Sequence, residues 1–295
     1  MSEISIRHLR YFRALAQHGH FGRAAEECSV SQPALSIQVK QFEEILGVQL
    51  VERGGRGTRL TPLGVATAER IQAILRAVDE LSNYVRSGQS TFSGELRIGA
   101  ISTVAPYLLP TVVKNIAHHY PGLKVRPREG ITQKLVADLL GADLDAALMA
   151  LPEPEPSLTS VELLTEEFVL VRPFEDQGKP VPDARMLREM ELLLLAEGHC
   201  FRDQALSFCG PNPRSLMVGS SLSTLVQMVG AGIGVTLIPR MAVPLETRSA
   251  DVSIARLPAP QPTRTIGLVW RKSNPLSQQL LEISKIVLDG SSRST

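Results

Sequence analysis

The sequence predicts an all-α N-terminal segment closed by a short basic hairpin, then a larger α/β segment with a mostly parallel sheet. Three observations predict it. Apolar residues recur at helical spacing early in the chain, as Leu9, Phe12, Leu15 and Ala16, and again as Leu35, Val39, Phe42 and Leu46. A small-polar run from Ser87 to Gly94 then interrupts the period and reads as a hinge. From Glu95 onward, short apolar strands alternate with helices, the pattern of parallel strands joined by crossover helices.

Composition bounds the reading. A chain of 295 residues exceeds what one hydrophobic core usually serves, so two or more folding units are expected. Apolar residues at 43% and charged residues at 21% are ordinary for a soluble protein. The net charge of +1 requires any nucleic-acid surface to arise from local clustering. Met1 to Arg10 lacks the apolar core of a secretory signal. The longest uncharged stretch, Ser221 to Pro239, is broken by Gln227, Gly230, Gly232 and Gly234, so it reads as helix, turn and strand. The expected compartment is the cytoplasm, with no membrane partner. There the three cysteines should be reduced thiols, and any disulfide transient.

Phe21 to Leu46 carries the first motif. Ala24 and Ala25 are small enough to let a second helix approach closely. Cys28-Ser29-Val30 makes a short turn, and there Cys28 reads as a small buried hydrophobe. Ser31 caps the next helix, with Gln32 and Pro33 in its first turn. Helix, tight turn, helix places the second helix's N-terminus in a major groove. Gln32 and Ser36 would meet base edges there, and Lys40, further along, would pair with phosphate.

Two short strands around Gly54-Gly55-Arg56-Gly57 would then form a wing carrying Arg53, Arg56 and Arg59, cations suited to phosphate or the minor groove. Thr61-Pro62-Leu63-Gly64 starts a long helix running through Val85. Its stripe of Ile71, Ile74, Leu75, Val78 and Leu81 suits pairing with a second copy, or packing within its own domain.

At these residues the chain resembles the LysR-type transcriptional regulators. The likeness rests on Leu9-Arg10-Tyr11-Phe12, Ala24-Ala25, Val30 to Ser36 and Leu46-Gly47. It continues through Leu50 to Arg53 and Leu60 to Gly64. The resemblance implies homodimers or homotetramers on partly palindromic double-stranded DNA, with the long helix as dimer element. RNA polymerase is a further expected partner. It also implies a periplasmic-binding-protein-like effector domain of two Rossmann-like α/β lobes. The expected division is 1–62 for the winged helix-turn-helix and 63–93 for linker helix and hinge. The effector domain takes 94–295, with lobe I at 94–165 and 268–295 and lobe II at 166–267.

Within the effector segment, Leu96-Arg97-Ile98 reads as a strand, Leu108 to His119 as a helix and Leu123-Lys124-Val125 as a strand. Ile131 to Leu140 is a helix and Ala146 to Met149 a buried strand. The Pro-rich stretch Leu151 to Pro156 breaks the series, as a crossing between subdomains would. His118-His119 ends a helix and reads as solvated. The glycines of Gly230 to Gly234 follow a helix and precede a strand, the reverse of a phosphate-binding loop.

Glu197 to Cys209 is the second informative stretch. It follows a strand, Leu192 to Leu195, and opens a helix. Cys200 is expected at the N-cap, with Asp203 completing a capping box and sulfur in a serine's place. Unpaired backbone N–H groups, the helix dipole and nearby Arg202 would each favour a thiolate, the form that attacks peroxide. A second thiol, Cys209, follows on the same helix. From 200 to 209, at ~1.5 Å rise per residue, is about 13.5 Å, whereas a disulfide needs Cα atoms within roughly 7 Å. A bond between them would therefore require the helix to give way. Burial as plain hydrophobes is the competing reading for both cysteines. No cofactor is expected. A metal site is not expected either, since His199, Cys200 and Cys209 lack paired metal-ligand spacing.

The run Gly198-His199-Cys200, Arg202-Asp203-Gln204-Ala205 with Cys209 looks like the redox loop of the peroxide-sensing OxyR branch of that family. Thr103 to Pro110 and Arg264 to Val269 are similar to it as well. The resemblance implies that Cys200 is the peroxidatic cysteine and Cys209 the resolving one, with hydrogen peroxide as signal. Thr103 and Thr132 would help bind peroxide, and His199, Arg202, Asp203 and Arg264 would form the surrounding polar shell. Phe201 departs from the leucine usual there. Implied is a non-enzymatic activator, switched by oxidation. Two alternatives stay open: a regulator binding a small organic effector between its lobes, and a thiol peroxidase fused to a DNA-binding domain.

Overall fold

The structure is a computed structural model and describes residues 3–52, 58–87, 92–210 and 215–291. It divides into two compact units, residues 1–83 and 84–295.

In the first unit, α1 (Ile6–His18) is opened by a reciprocal cap. Ser5 Oγ accepts from the His8 backbone N–H, and the Ser5 N–H donates to His8 Nδ1. α2 (Phe21–Glu27) and α3 (Gln32–Leu46) follow, with Ser31 capping α3 through the Ala34 N–H. Ala24 and Ala25 are buried against Phe12, Leu15, Leu35 and Phe42, the close approach their small size allows. The two-stranded wing pairs β1 (Val51–Glu52) with β2 (Arg59–Leu60). The Glu43 carboxylate anchors its start by accepting from the Leu50 and Val51 N–H groups at 2.8 and 3.0 Å.

α4 (Pro62–Ser87) begins beside the wing, where any side chain on Gly64 would strike the Leu50 carbonyl. Its apolar stripe serves two faces. Ile71 and Leu75 join the core of their own unit, whereas Ile74 and Leu81 are 48% and 64% exposed. The stripe is thus only partly available to a second copy.

The second unit is one nine-stranded sheet with two cores. β3 (Gly94–Ile101), α5 (Ala105–His119), β4 (Leu123–Gly130), α6 (Thr132–Leu140) and β5 (Ala146–Leu151) build a parallel block in the order β4-β3-β5. β6 (Leu158–Pro173) leads on to α7 (Ala184–Glu189), β7 (Glu191–Leu195), α8 (Cys200–Cys209) and β8 (Ser215–Gly219). α9 (Leu222–Gly230) and β9 (Val235–Pro239) complete the second parallel block, ordered β9-β7-β8. α10 (Val243–Glu246), β10 (Val252–Arg256), β11 (Thr263–Arg271) and α11 (Ser277–Ser291) close the chain. β10 pairs with the far end of β6, and β11 lies antiparallel between β5 and β6.

Two sequence expectations shift. The crossing between lobes is not the proline stretch, which only links β5 to β6. It is β6 itself, whose residues 158–167 pair with β11 and whose residues 168–171 pair with β9. A strand long enough to pair with both blocks of the sheet crosses without a loop. The return crossing, expected after residue 267, comes earlier. β11 pairs throughout with β5 and with residues 158–167 of β6, so the chain returns from the second block between β10 and β11. Helix α5 also starts earlier than Leu108, because Pro106 fits the first turn, where no N–H is needed.

Candidate functional site

Three of the helices in the second unit that start where parallel strands end converge: α5 after β3, α6 after β4, α8 after β7. Residues at these starts enclose a narrow crevice lined by Ile101, Ser102, Thr103, Ile131, Thr132, His199, Cys200 and Phe201. Carboxyl ends of parallel strands are where open α/β sheets place ligands, because helix N-termini there point unpaired N–H groups at one spot. The crevice has no room for a water-sized sphere with its side chains as they stand.

Cys200 is the first residue of α8, not its cap. Gly198 adopts φ +91 and His199 is extended, so His199 becomes the cap and makes no side-chain cap bond. The first turn closes through the Arg202 N–H to the His199 carbonyl at 3.0 Å. The expected sulfur capping box with Asp203 is therefore absent, and Asp203 is exposed. Cys200 is half-buried. Arg202 turns away to donate to the Leu195 carbonyl at 2.9 Å, tying α8 to β7. Neither Arg202 nor Asp203 lines the crevice. Burial lowers the His199 imidazole below its usual range despite the opposing pull of Glu129, which favours the neutral ring.

Thr103 is fixed from behind by Arg264. The guanidinium donates to Thr103 Oγ1 at 2.7 Å and to the Thr103 carbonyl at 2.9 Å. It also pairs with Glu166, at 2.8 and 2.9 Å, and its carbon lies 5.3 Å from the centre of the Phe201 ring. The whole Arg264 side chain is buried. Thr132 opens α6, and its Oγ1 is buried without a hydrogen-bond partner. A hydroxyl so placed, in a crevice shared with Thr103, His199 and Cys200, is a donor and acceptor in want of a ligand.

Cys209, at the other end of α8, is fully buried in the second core. Burial pushes its thiol up to about 11, with Arg188 opposing. The helix between the two cysteines is unbroken and all three cysteines are free thiols. The structure thus gathers Thr103, Thr132, His199 and Cys200, backs them with Arg264, and holds Cys209 apart.

Sequence reasoning missed Glu166, which also accepts from the Met241 N–H at 2.9 Å. The signal was a register: Glu166 sits opposite Arg264 once β6 and β11 are paired. It also missed that Tyr107 of α5 reaches across to Glu246 of α10, its hydroxyl donating at 2.5 Å, while Ser223 donates to the other carboxylate oxygen.

In the first unit Ser31, Gln32, Pro33, Ser36 and Lys40 are all exposed along the start and outer face of α3. Lys40 lies 3.6 Å from Glu44. Arg59 on β2 is exposed, whereas Arg53 and Arg56 lie outside the described residues.

A winged helix-turn-helix in one unit and a thiol-bearing crevice in a two-lobed α/β unit define a transcription regulator that both reads DNA and senses a signal. Residues 6–65 match the bacterial regulatory helix-turn-helix family of lysR type, and residues 89–290 match the LysR substrate binding domain. The chain belongs to the LysR family, in its OxyR group. It is 39% identical over 297 residues to the dual regulator OxyR of Escherichia coli K12, covering 97% of each chain. It is 43% identical over 274 residues to a probable hydrogen peroxide-inducible genes activator of Streptomyces viridosporus, covering 90% of this chain and 88% of that one. Among solved structures it is similar to a full-length Pseudomonas aeruginosa OxyR with a cysteine-to-aspartate change. That likeness has TM-score 0.73 and 34% identity, over 97% of this chain and 95% of the other. It is also similar to a cysteine-to-serine mutant of Corynebacterium glutamicum OxyR with hydrogen peroxide bound. There the TM-score is 0.67 and the identity 31%, over 99% of this chain and 94% of the other. Among the described residues no helix is long and apolar enough to cross a membrane.

Proposed function

We propose that this chain is a hydrogen-peroxide-responsive transcription regulator, switched by oxidation of Cys200 and disulfide formation with Cys209. The observation that carries the reading is the crevice: a half-buried thiol at a helix start, beside Thr103, Thr132 and neutral His199. The Cys200 thiolate attacks one oxygen of peroxide, the O–O bond breaks, and the departing hydroxide takes a proton to become water. Sulfur loses two electrons and becomes a sulfenic acid. Thr132 Oγ1, having no partner inside the protein, supplies a hydrogen bond to peroxide, and Thr103 a second. In the next step Cys209 sulfur attacks Cys200 sulfur, the S–O bond breaks, and hydroxide leaves with the Cys209 proton as water. Helix α8 must open for this, and its opening is the switch.

A small organic effector between the lobes is the weaker reading, because the buried Arg264 side chain fills the polar centre beside Thr103 and Glu166. We take the chain to be a sensor and not an enzyme: it reacts once per reduction cycle, where a peroxidase would turn over. We place it in the cytoplasm, where it meets its operator. Its partners are partly palindromic DNA, further copies of itself as dimer or tetramer, and RNA polymerase. Ser31, Gln32, Pro33 and Ser36 present α3 to the major groove, while Lys40, Arg53 and Arg56 contact phosphate.

Mass spectrometry before and after one equivalent of peroxide tests the reading, through a linked Cys200–Cys209 peptide. In Cys209→Ser, sulfenic acid is expected to accumulate at Cys200 and to be trapped by a cyclic 1,3-dione; an unlabelled protein would refute the assignment of roles. On the DNA side, Gln32→Ala should remove about 1–3 kcal/mol of base discrimination at one operator position. Arg53→Ala should weaken all sequences alike and reduce the salt slope by about one. Binding titrations on cognate and scrambled duplexes separate the two, and equal loss of specificity in both variants would contradict the division.

A further inference from the structure

Phe201 lies next to the reacting thiol and lines the crevice with it, and it is also part of the second core, where it is 2% exposed. It meets Phe168 of β6 edge to face, with ring centres 4.8 Å apart, and it carries the Arg264 guanidinium on its own face at 5.3 Å. These contacts join α8 to β6, the strand that crosses between the lobes, and to its neighbour β11, since Phe168 is on β6 and Arg264 on β11. The first turn of α8 is otherwise held to the sheet by Arg202 on the Leu195 carbonyl. Cys200 cannot travel towards Cys209 without carrying its neighbour's backbone along. Phe201 must then leave the Phe168 ring and the buried Arg264 guanidinium.

We propose that Phe201 is the positioning residue that brakes the second step: its aromatic clamp holds α8 wound after Cys200 is oxidised and sets how fast the disulfide closes. The proposal rests on the peroxide reading above and adds to it a rate-determining contact. The clamp exists in the wound state and is lost as the helix opens, so weakening it lowers the barrier to closure and leaves reclosing little changed. An aliphatic side chain keeps most of the burial but loses both the cation–π contact and the edge-to-face pair.

The test is Phe201→Leu in the full-length protein. Sulfenic acid and disulfide at Cys200 are followed by quenched-flow alkylation and mass spectrometry after one equivalent of peroxide. The ratio of closure rate to oxidation rate should rise about tenfold. The same change in equilibrium makes the Cys200–Cys209 midpoint potential about 30 mV more negative in a glutathione titration. Phe168→Leu, which alters no residue of the crevice or of α8, should raise the ratio about threefold through loss of the edge contact. It serves if the first variant folds poorly. Leu225→Ala, equally buried in the same core, controls for general loosening and should leave the ratio within about twofold. An unaltered or lower ratio in both phenylalanine variants, or an equal rise in Leu225→Ala, overturns the brake. If the parent chain forms no sulfenic acid at Cys200, the peroxide reading falls and the brake with it. Normal oxidation with unchanged closure removes the brake alone.

Discussion

Replacing Cys200 by serine is expected to abolish the response to peroxide and to leave operator binding at its reduced-state strength. The two effects separate because they belong to different units. The cysteine sits in the second unit, at the first turn of α8, and the exposed face of α3 proposed to read bases sits in the first. Serine preserves the size and the helix-start position of the residue, so the reduced fold should persist. What is lost is a nucleophile: a hydroxyl does not attack peroxide at neutral pH, and Cys209 cannot take over. That thiol is fully buried and pushed up to about 11, which keeps it protonated and out of reach while α8 is wound. Thiol counting after one equivalent of peroxide should therefore find Cys209 intact. Reporter induction by peroxide in cells carrying this variant should stay at background. Normal induction would end the redox account while leaving the DNA-reading half untouched.

Much of this was legible in the sequence because local rules decided it. Ser31 before Gln32-Pro33 is a helix start on cap chemistry alone, and the structure puts the cap there. The alternation of short apolar strands and helices after Glu95 likewise yields the parallel blocks. Local rules failed where long-range pairing took over. A serine-type cap was expected at Cys200, but Gly198 at φ +91 turns the chain early and hands the cap to His199. Proline density suggested a crossing at 151–156, yet an unbroken strand does the crossing, something visible only once both lobes are paired through it. Glu166 carried no local mark at all. Its importance comes from standing opposite Arg264 across two strands separated by most of a lobe. Thr103 and Thr132, expected in the site by resemblance, both line the crevice in the structure. One is held by Arg264 and the other is left with an unpaired hydroxyl.

Arg264 then carries the second large expectation. Arg264→Met should destabilise the effector unit by about 3 kcal/mol or more, because it leaves the Glu166 carboxylate buried with its cation gone. For a domain of this size that is a fall of about 6–12 °C in Tm. The same change frees Thr103, which loses the donor to its hydroxyl and the donor to its carbonyl together. A displacement of about 1 Å at a reacting centre costs on the order of a hundredfold in rate, so oxidation of Cys200 should slow by about that much. Stability and reactivity can be pulled apart by a second substitution. Arg264→Met with Glu166→Leu removes the stranded carboxylate and should recover part of the stability, less the cost of the Met241 N–H and the Thr103 groups left unpaired. It should not recover the rate, because nothing then positions Thr103. Urea unfolding of the full chain and the rate of Cys200 sulfenic acid formation measure the two quantities independently. A double variant that regained the rate along with the stability would show that Arg264 only braces the fold. A double variant restabilised in part but slow would place it in the chemistry, as the group that holds the peroxide-binding hydroxyl against the sulfur.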